Sequence, residues 1–265
     1  MRIALGIEYD GSPYHGWQRQ GHEPNTVQQI LESALSQVAD HPVTVICCGR
    51  TDAGVHGYGQ VVHFDTHAMR TPRAWIHGAN AALPHSISVR WSQEVPEHFH
   101  ARFSAYARRY CYVIYNHPIR PALGMRHMTW QYRPLDERQM EEGAQALVGT
   151  HDFTSFRALG CQAKSPIKTI HSIRVERRGA MIFISVHANA YLHHMVRNIA
   201  GVLMAVGTGK AASRWVKEVL ELRDRSRGGV TAPPYGLYFM EAQYPDEFCL
   251  PREVHRLPPV ILGGE

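Results

Sequence analysis

The chain has 265 residues, 44% of them hydrophobic and 19% charged, which excludes a disordered chain and leaves room for one large folded domain or two ordinary ones. Lys and Arg outnumber Asp and Glu by 28 to 23, and the isoelectric point is near 9.0, a mild positive excess that suits a polyanionic partner without requiring one. The longest apolar run, 199–206, is too short to span a bilayer, so no membrane partner is expected.

The start, MRIALGIEYDG, carries no secretory leader pattern. The cysteines, Cys47, Cys48, Cys111, Cys161 and Cys249, are odd in number and lack a C-x-x-C spacing, which reads as reduced thiols. The expectation is a cytoplasmic protein.

Residues 2–10 alternate apolar and polar and predict a strand. Residues 26–39 place Val27, Ile30, Leu31, Ala34, Leu35 and Val38 on one helical face, with Asn25 or Thr26 as the N-cap. Val43 to Cys48 is a short β-branched run and predicts a buried strand. A glycine-rich loop follows, then a strand from Gln60 to Thr66. Thr71-Pro72 opens a helix to about Asn80, and 87–95 alternates again. The order β-α-β-β-α-β is a ferredoxin-like signature.

The second half predicts a similar order. A strand runs over 104–116, and a helix is capped by Asp136 and ends at Gly149. Strands at 168–177 and 181–189 meet at Arg178-Gly179. Helices follow at 191–206 and 213–224, and a last strand at 236–243. The fold class expected is α+β: two ferredoxin-like units with mainly antiparallel sheets and a central active-site cleft. The lobes are 1–103, carrying the loop described next, and 104–265.

Four segments carry candidate chemistry. In CGRTDAGVHGYGQ, residues 48–60, Arg50, Asp52 and His56 sit on a stiff glycine-rich turn. The pattern fits a catalytic loop, and equally a hairpin in which Asp52 forms an Asx turn. In SAYARRYCYVIYN, residues 104–116, Arg108 and Arg109 precede Tyr110 and Tyr112, which share a strand face. Arginines beside aromatics on a sheet suit RNA, by phosphate contact and base stacking. Tyr112 and Tyr115 fit the core better.

In NAYLHHMVRNIAG, residues 189–201, His193, Arg197 and Gly201 have i, i+4, i+8 spacing on one predicted helical stripe, and a buried arginine there calls for a carboxylate. Adjacent His193 and His194 diverge by about 100° on a helix, so no metal is expected. In HDFTSFR, residues 151–157, Phe153 and Phe156 read as core, and Asp152 as a local cap and a fallback acid.

GRTDAGVH, with EYDGSPYHGWQRQ at 8–20 upstream and ARRYCYVIYN, GTHDFTSFR, HHMVRNIAG and GLYF downstream, closely resembles the TruA family of tRNA pseudouridine synthases, over almost the whole chain. The resemblance implies a homodimer that isomerises uridines 38, 39 and 40 in the anticodon arm of tRNA without metal or cofactor. It implies that Asp52 is the catalytic aspartate, Tyr110 an active-site tyrosine and Arg197 the arginine that pairs with the aspartate. It implies that Arg50 helps extrude the target base. His56, Arg108 and Arg109 complete the expected substrate contacts.

The chemistry fits these types. The N1–C1′ bond breaks, the base turns and C5 joins C1′, after the uracil has left the stack. Asp52 acts either as nucleophile at C1′ or as the base that removes the 2′ proton. Either role needs the charge, which burial disfavours and a neighbouring arginine favours. Tyr110 would stack on the base and help remove the C5 proton. Two rivals remain from the residues alone: a non-catalytic RNA-binding module and a histidine-rich metal-dependent phosphoesterase.

Overall fold

The structure, a computed structural model, describes residues 1–21, 23–251 and 257–258. In chain order it holds β1 (Arg2–Tyr9), α1 (Val27–Ala39), β2 (Ile46–Cys47), β3 (His56–Asp65), α2 (Pro72–Ala82), β4 (Ile87–Val95), β5 (Ala107–Asn116) and β6 (Thr129–Gln131). There follow α3 (Glu137–Gln145), β7 (Gly149–Asp152), β8 (Ile167–Arg178), β9 (Met181–Ala188), α4 (Met195–Gly207), α5 (Trp215–Leu222) and β10 (Leu237–Gln243). This is a mixed α and β protein with mostly antiparallel strand pairs. No helix among the described residues is long and apolar enough to cross a membrane.

The chain forms two compact units. One is Met1–Tyr106 joined by the segment from Tyr238; the other is Ala107–Leu237. The sequence reading divides the chain at 103/104; the structure divides it three residues later and returns the last strand to the first unit.

In the first unit the strand order is β4-β1-β3-β10, with β2 also against β3. All pairs are antiparallel except β10 with β3, which pair in parallel at Tyr238 with His56 and Phe239 with Gly57. α1 buries Val27, Leu31, Ala34 and Leu35, a stripe at helical spacing, against Ile3, Leu5 and Ile7 of β1 and Val62 and Phe64 of β3. Thr26, one of the two expected caps, accepts the Gln29 N–H at 3.4 Å. Thr71 caps α2 as expected, accepting from Ala74 N–H at 3.2 Å.

The expected strand over 43–48 shortens to two residues. The Val43 N–H goes to the Ser36 hydroxyl at 2.9 Å and the Val45 N–H to the Glu32 carboxylate at 3.0 Å. Burial holds only for Val43, Val45, Cys47 and Cys48, since Thr44 and Ile46 are exposed, and at Val43 and Val45 side chains of α1, rather than a neighbouring strand, satisfy the backbone.

One corner of this unit holds its termini together. Arg2 grips the Asp65 carboxylate through two bonds of 2.8 Å and also donates to the carbonyls of Glu97 and Phe99. His63 is buried beside it, its Nδ1 accepting the Ala101 N–H at 3.1 Å. Burial, then the charge of Arg2, pushes the His63 pKa down to about 4.

In the second unit the order is β5-β9-β8-β7, with β6 parallel to β5. Asp136 caps α3, accepting from Arg138 and Gln139 N–H at 2.9 and 3.1 Å. The expected helix to Gly149 ends four residues early. Gly149, at φ 109°, instead starts β7, which the sequence reading missed along with β6. The helix expected from 191 begins at Met195, because His194 takes a left-handed conformation, φ 62°. His193 therefore lies off the helical stripe to which its spacing assigned it. Phe153 and Phe156 are buried, as read.

Candidate active site

The loop between β2 and β3 carries Arg50 and Asp52, and His56 is the first residue of β3. The segment 9–17 explains the shape of the loop. Gly16, at φ 92°, lies so close beneath the loop that a Cβ there would meet the Thr51 carbonyl at 2.9 Å and the Ala53 nitrogen at 3.2 Å. Trp17 N–H donates to the Thr51 carbonyl at 3.0 Å. The Tyr9 hydroxyl meets the Thr51 hydroxyl at 2.8 Å from within the core. The Asp52 carbonyl accepts Val55 N–H at 3.1 Å, which closes a turn with Gly54 at φ 78°. Asp52 is half-buried on this backbone and Arg50 beside it is exposed.

His56 is buried. Its ring stacks on Tyr238, centroids 4.6 Å apart. Its Nδ1 lies 3.1 Å from both the Gly11 N–H and the Asp10 carboxylate. Accepting from one and donating to the other are alternatives, set by where the ring proton sits. Burial pushes the Asp10 carboxyl up, but hydrogen bonds from His56 and Ser12 outweigh it and hold it well below the usual range. Expected at the substrate, His56 thus sits where it braces Gly11 and the start of β3.

In the second unit Tyr110 is half-buried, edge-on to Tyr191 with centroids 4.8 Å apart. Tyr191 donates to the carbonyls of Val186 and Arg108 at 2.8 and 3.1 Å. Arg108 reaches the Asn189 carbonyl at 3.0 Å and shares the face of Tyr110. Arg109 is opposite His187 on the other face, so the two arginines do not form one stripe. Tyr112, on the face of Tyr110, is fully buried and bonded to Thr129 and the Pro233 carbonyl at 2.6 and 2.8 Å.

Arg197 stands in the first turn of α4. Its Nε donates to the Ala232 carbonyl at 2.8 Å, and its own carbonyl accepts Ala232 N–H at 3.1 Å. Gly201, one turn on, leaves room for the Val230 carbonyl, which a Cβ would overlap. The strap 229–232 is tied down by residues the sequence reading did not single out. Buried Asn198 donates to the Phe156 carbonyl at 2.7 Å and accepts from Thr231 and Arg225 at 2.7 and 3.0 Å. A polar residue directly before the apolar run 199–206 was the available signal.

The His193 and His194 rings lie 4.0 Å apart. The expectation that they diverge assumed a helix, so that argument against a metal lapses. Asp152 accepts from the Thr154 N–H and hydroxyl at 2.9 and 2.6 Å, which is the local capping expected of it. Burial raises its pKa, and these bonds outweigh that and lower it.

A sequence profile of a family described as tRNA pseudouridine synthase matches residues 6–104 and 144–245. A protein named tRNA pseudouridine synthase A from Pseudomonas aeruginosa is 60% identical over 263 residues, 99% of this chain and 92% of the relative. One of the same name from Alcanivorax borkumensis is 58% identical over 252 residues, 95% of this chain and 94% of the relative. One from Legionella pneumophila is 57% identical over 250 residues, 94% and 95% respectively.

Proposed function

The chain belongs to the tRNA pseudouridine synthase family, and on that premise we propose that Asp52 is the carboxylate with which it isomerises uridines 38, 39 and 40 of the anticodon arm. It is an isomerase that converts uridine in tRNA to pseudouridine. The observation that carries the assignment is the bracing of the Asp52 loop. Trp17 and Tyr9 hold Thr51, and Gly16 fits beneath it. A carboxylate that must meet one atom of an extruded nucleotide gains most from a backbone fixed before the substrate arrives.

In this reading Asp52 attacks C1′ or takes the 2′ proton, and both routes use the same position. The N1–C1′ bond breaks, the uracil turns, and C5 bonds to C1′ as the Asp52–C1′ bond breaks in the first route or Asp52 returns the proton to C2′ in the second. The C5 proton then leaves, with Tyr110 as the group that assists its removal and stacks on the base. Arg197 is the cationic partner of Asp52. Arg50 stabilises the extruded nucleotide, Arg108 and Arg109 bind phosphate, and His56 supports the loop. The finer fold reading, two ferredoxin-like units, is proposed on element order, the homodimer on the family resemblance, and the cytoplasmic location on the free cysteines.

The test is tritium release from C5-labelled uridine in tRNA. Asp52→Asn, which keeps size and loses charge, is expected to fall to background while tRNA affinity stays within about 3-fold. An Asn variant that keeps a tenth of the activity refutes the assignment.

A further inference from the structure

We propose that Gln60 is a positioning residue for Arg50, acting by gripping the backbone of Gly49 at both of its polar atoms. The proposal rests on the assignment of Arg50 to nucleotide extrusion made above.

The row of β3 residues that faces α1 and α2 reads Phe64, Val62, then Gln60, opposite Ile3, Leu5 and Ile7 of β1. Two apolar residues are followed by a carboxamide that is 0% exposed. A buried carboxamide is costly unless its atoms are met, and an apolar side chain would be the default in this row. One residue meets both ends of it. Gln60 Nε2 donates to the Gly49 carbonyl at 2.6 Å, and Gly49 N–H donates to Gln60 Oε1 at 3.3 Å.

Those two Gly49 atoms belong to successive peptide planes. Holding both fixes the rotations on each side of the Gly49 Cα, at the residue type with the widest backbone freedom. The second plane contains the Arg50 nitrogen. The Asp52 side of the loop has its own anchor in Trp17 N–H on the Thr51 carbonyl, while Tyr9 hydrogen-bonds both Thr51 and Gln60. Loss of the Gln60 grip therefore releases Arg50 and leaves the Trp17 anchor, and the Tyr9 bond to Thr51, on the Asp52 side. The defect of a Gln60 variant should copy the loss of Arg50, not the loss of Asp52.

The experiment compares Gln60→Met, Arg50→Ala and the double variant with wild type, on a native anticodon arm and on one with a mismatch at the target uridine. Gln60→Met keeps volume without polar atoms. On the native arm it is expected to slow turnover about 10-fold with KM within about 2-fold, and the mismatch should restore most of that loss because the cost of extrusion falls. In the Arg50→Ala background it should add less than about 2-fold, as for residues acting through one another. Equal slowing on both arms, or effects that multiply in the double variant, overturns the proposal.

Gln60→Glu guards against a variant that does not fold. A protonated carboxyl offers the same donor and acceptor to Gly49, so turnover relative to wild type should be near full at about pH 6 and fall as pH rises. The titratable neighbours, the Tyr9 phenol and the Cys47 thiol, are both pushed up by burial and stay neutral in that range. A flat ratio overturns the proposal. If Asp52→Asn proves active, the catalytic assignment fails alone, since the coupling of Gln60 to Arg50 is read from rates that all contain Asp52.

Discussion

His63 should make the first unit lose stability in mild acid, by an amount the geometry sets. The ring accepts the Ala101 N–H through Nδ1, packs against Phe99 and His100 and lies near the Arg2 cation. Protonation would evict the amide and add charge to a buried site. The folded pKa, about 4, lies below the ordinary histidine value of 6.5, so the unfolded chain binds the proton first. Stability from this group is complete above about pH 6.5 and drains away as pH falls towards 4. Between pH 7.5 and 5 that amounts to about 2 kcal/mol. The assay is urea unfolding at both pH values, in wild type and in His63→Gln, whose amide oxygen can still accept from Ala101. The variant should lack about 2 kcal/mol of the wild-type acid loss. His100, also lowered by burial, titrates in both proteins and cancels in the difference. Arg2 keeps Asp65 ionised to lower pH than usual, outside the window. Equal acid losses in the two proteins would refute the reasoning.

Asp152→Asn should leave turnover within about 2-fold and cost about 1 kcal/mol in thermal or urea unfolding, because its bonds are local; turnover at background would make Asp152 the catalytic candidate. Gly201→Ala should destabilise by about 1–3 kcal/mol or more, since the new methyl overlaps the Val230 carbonyl; an unchanged melting temperature would show that the strap can move freely. Exhaustive chelation should leave tritium release intact, whereas stoichiometric metal lost together with activity would revive the histidine-centred reading.

What the sequence disclosed depended on range. α1 was legible from its stripe and the Thr26 cap, and α2 from Thr71-Pro72, because these are local signals. β6 and β7 were not, being three and four residues long and defined by their partners β5 and β8. His193 was misplaced because spacing cannot reveal the left-handed turn at His194. The glycine-rich loop marked Asp52, yet the use of Tyr9, Gly16 and Trp17 became visible only when segment 9–17 was seen beneath Thr51. Gln60 and Asn198 stood in plain view as polar residues at the head of apolar segments, but their partners, Gly49 and Phe156, lie 11 and 42 residues away in the chain.

The return of β10 to β3 has a bearing on synthesis. When the ribosome has delivered the first 106 residues, the first unit still lacks a wall. Phe99 waits for Tyr244 and Phe248, the Ala101 carbonyl for the Tyr244 hydroxyl, and the Tyr106 N–H for the Gln243 carbonyl. Part of the β3 edge near His56 and Gly57 also stays unpaired until Tyr238 and Phe239 arrive. An exposed strand edge and aromatic surface are what nascent-chain chaperones bind and what drives aggregation. The unit that begins the protein is thus among the last parts to be finished, and a chain stopped before residue 238 has lost part of its opening unit, not a dispensable tail.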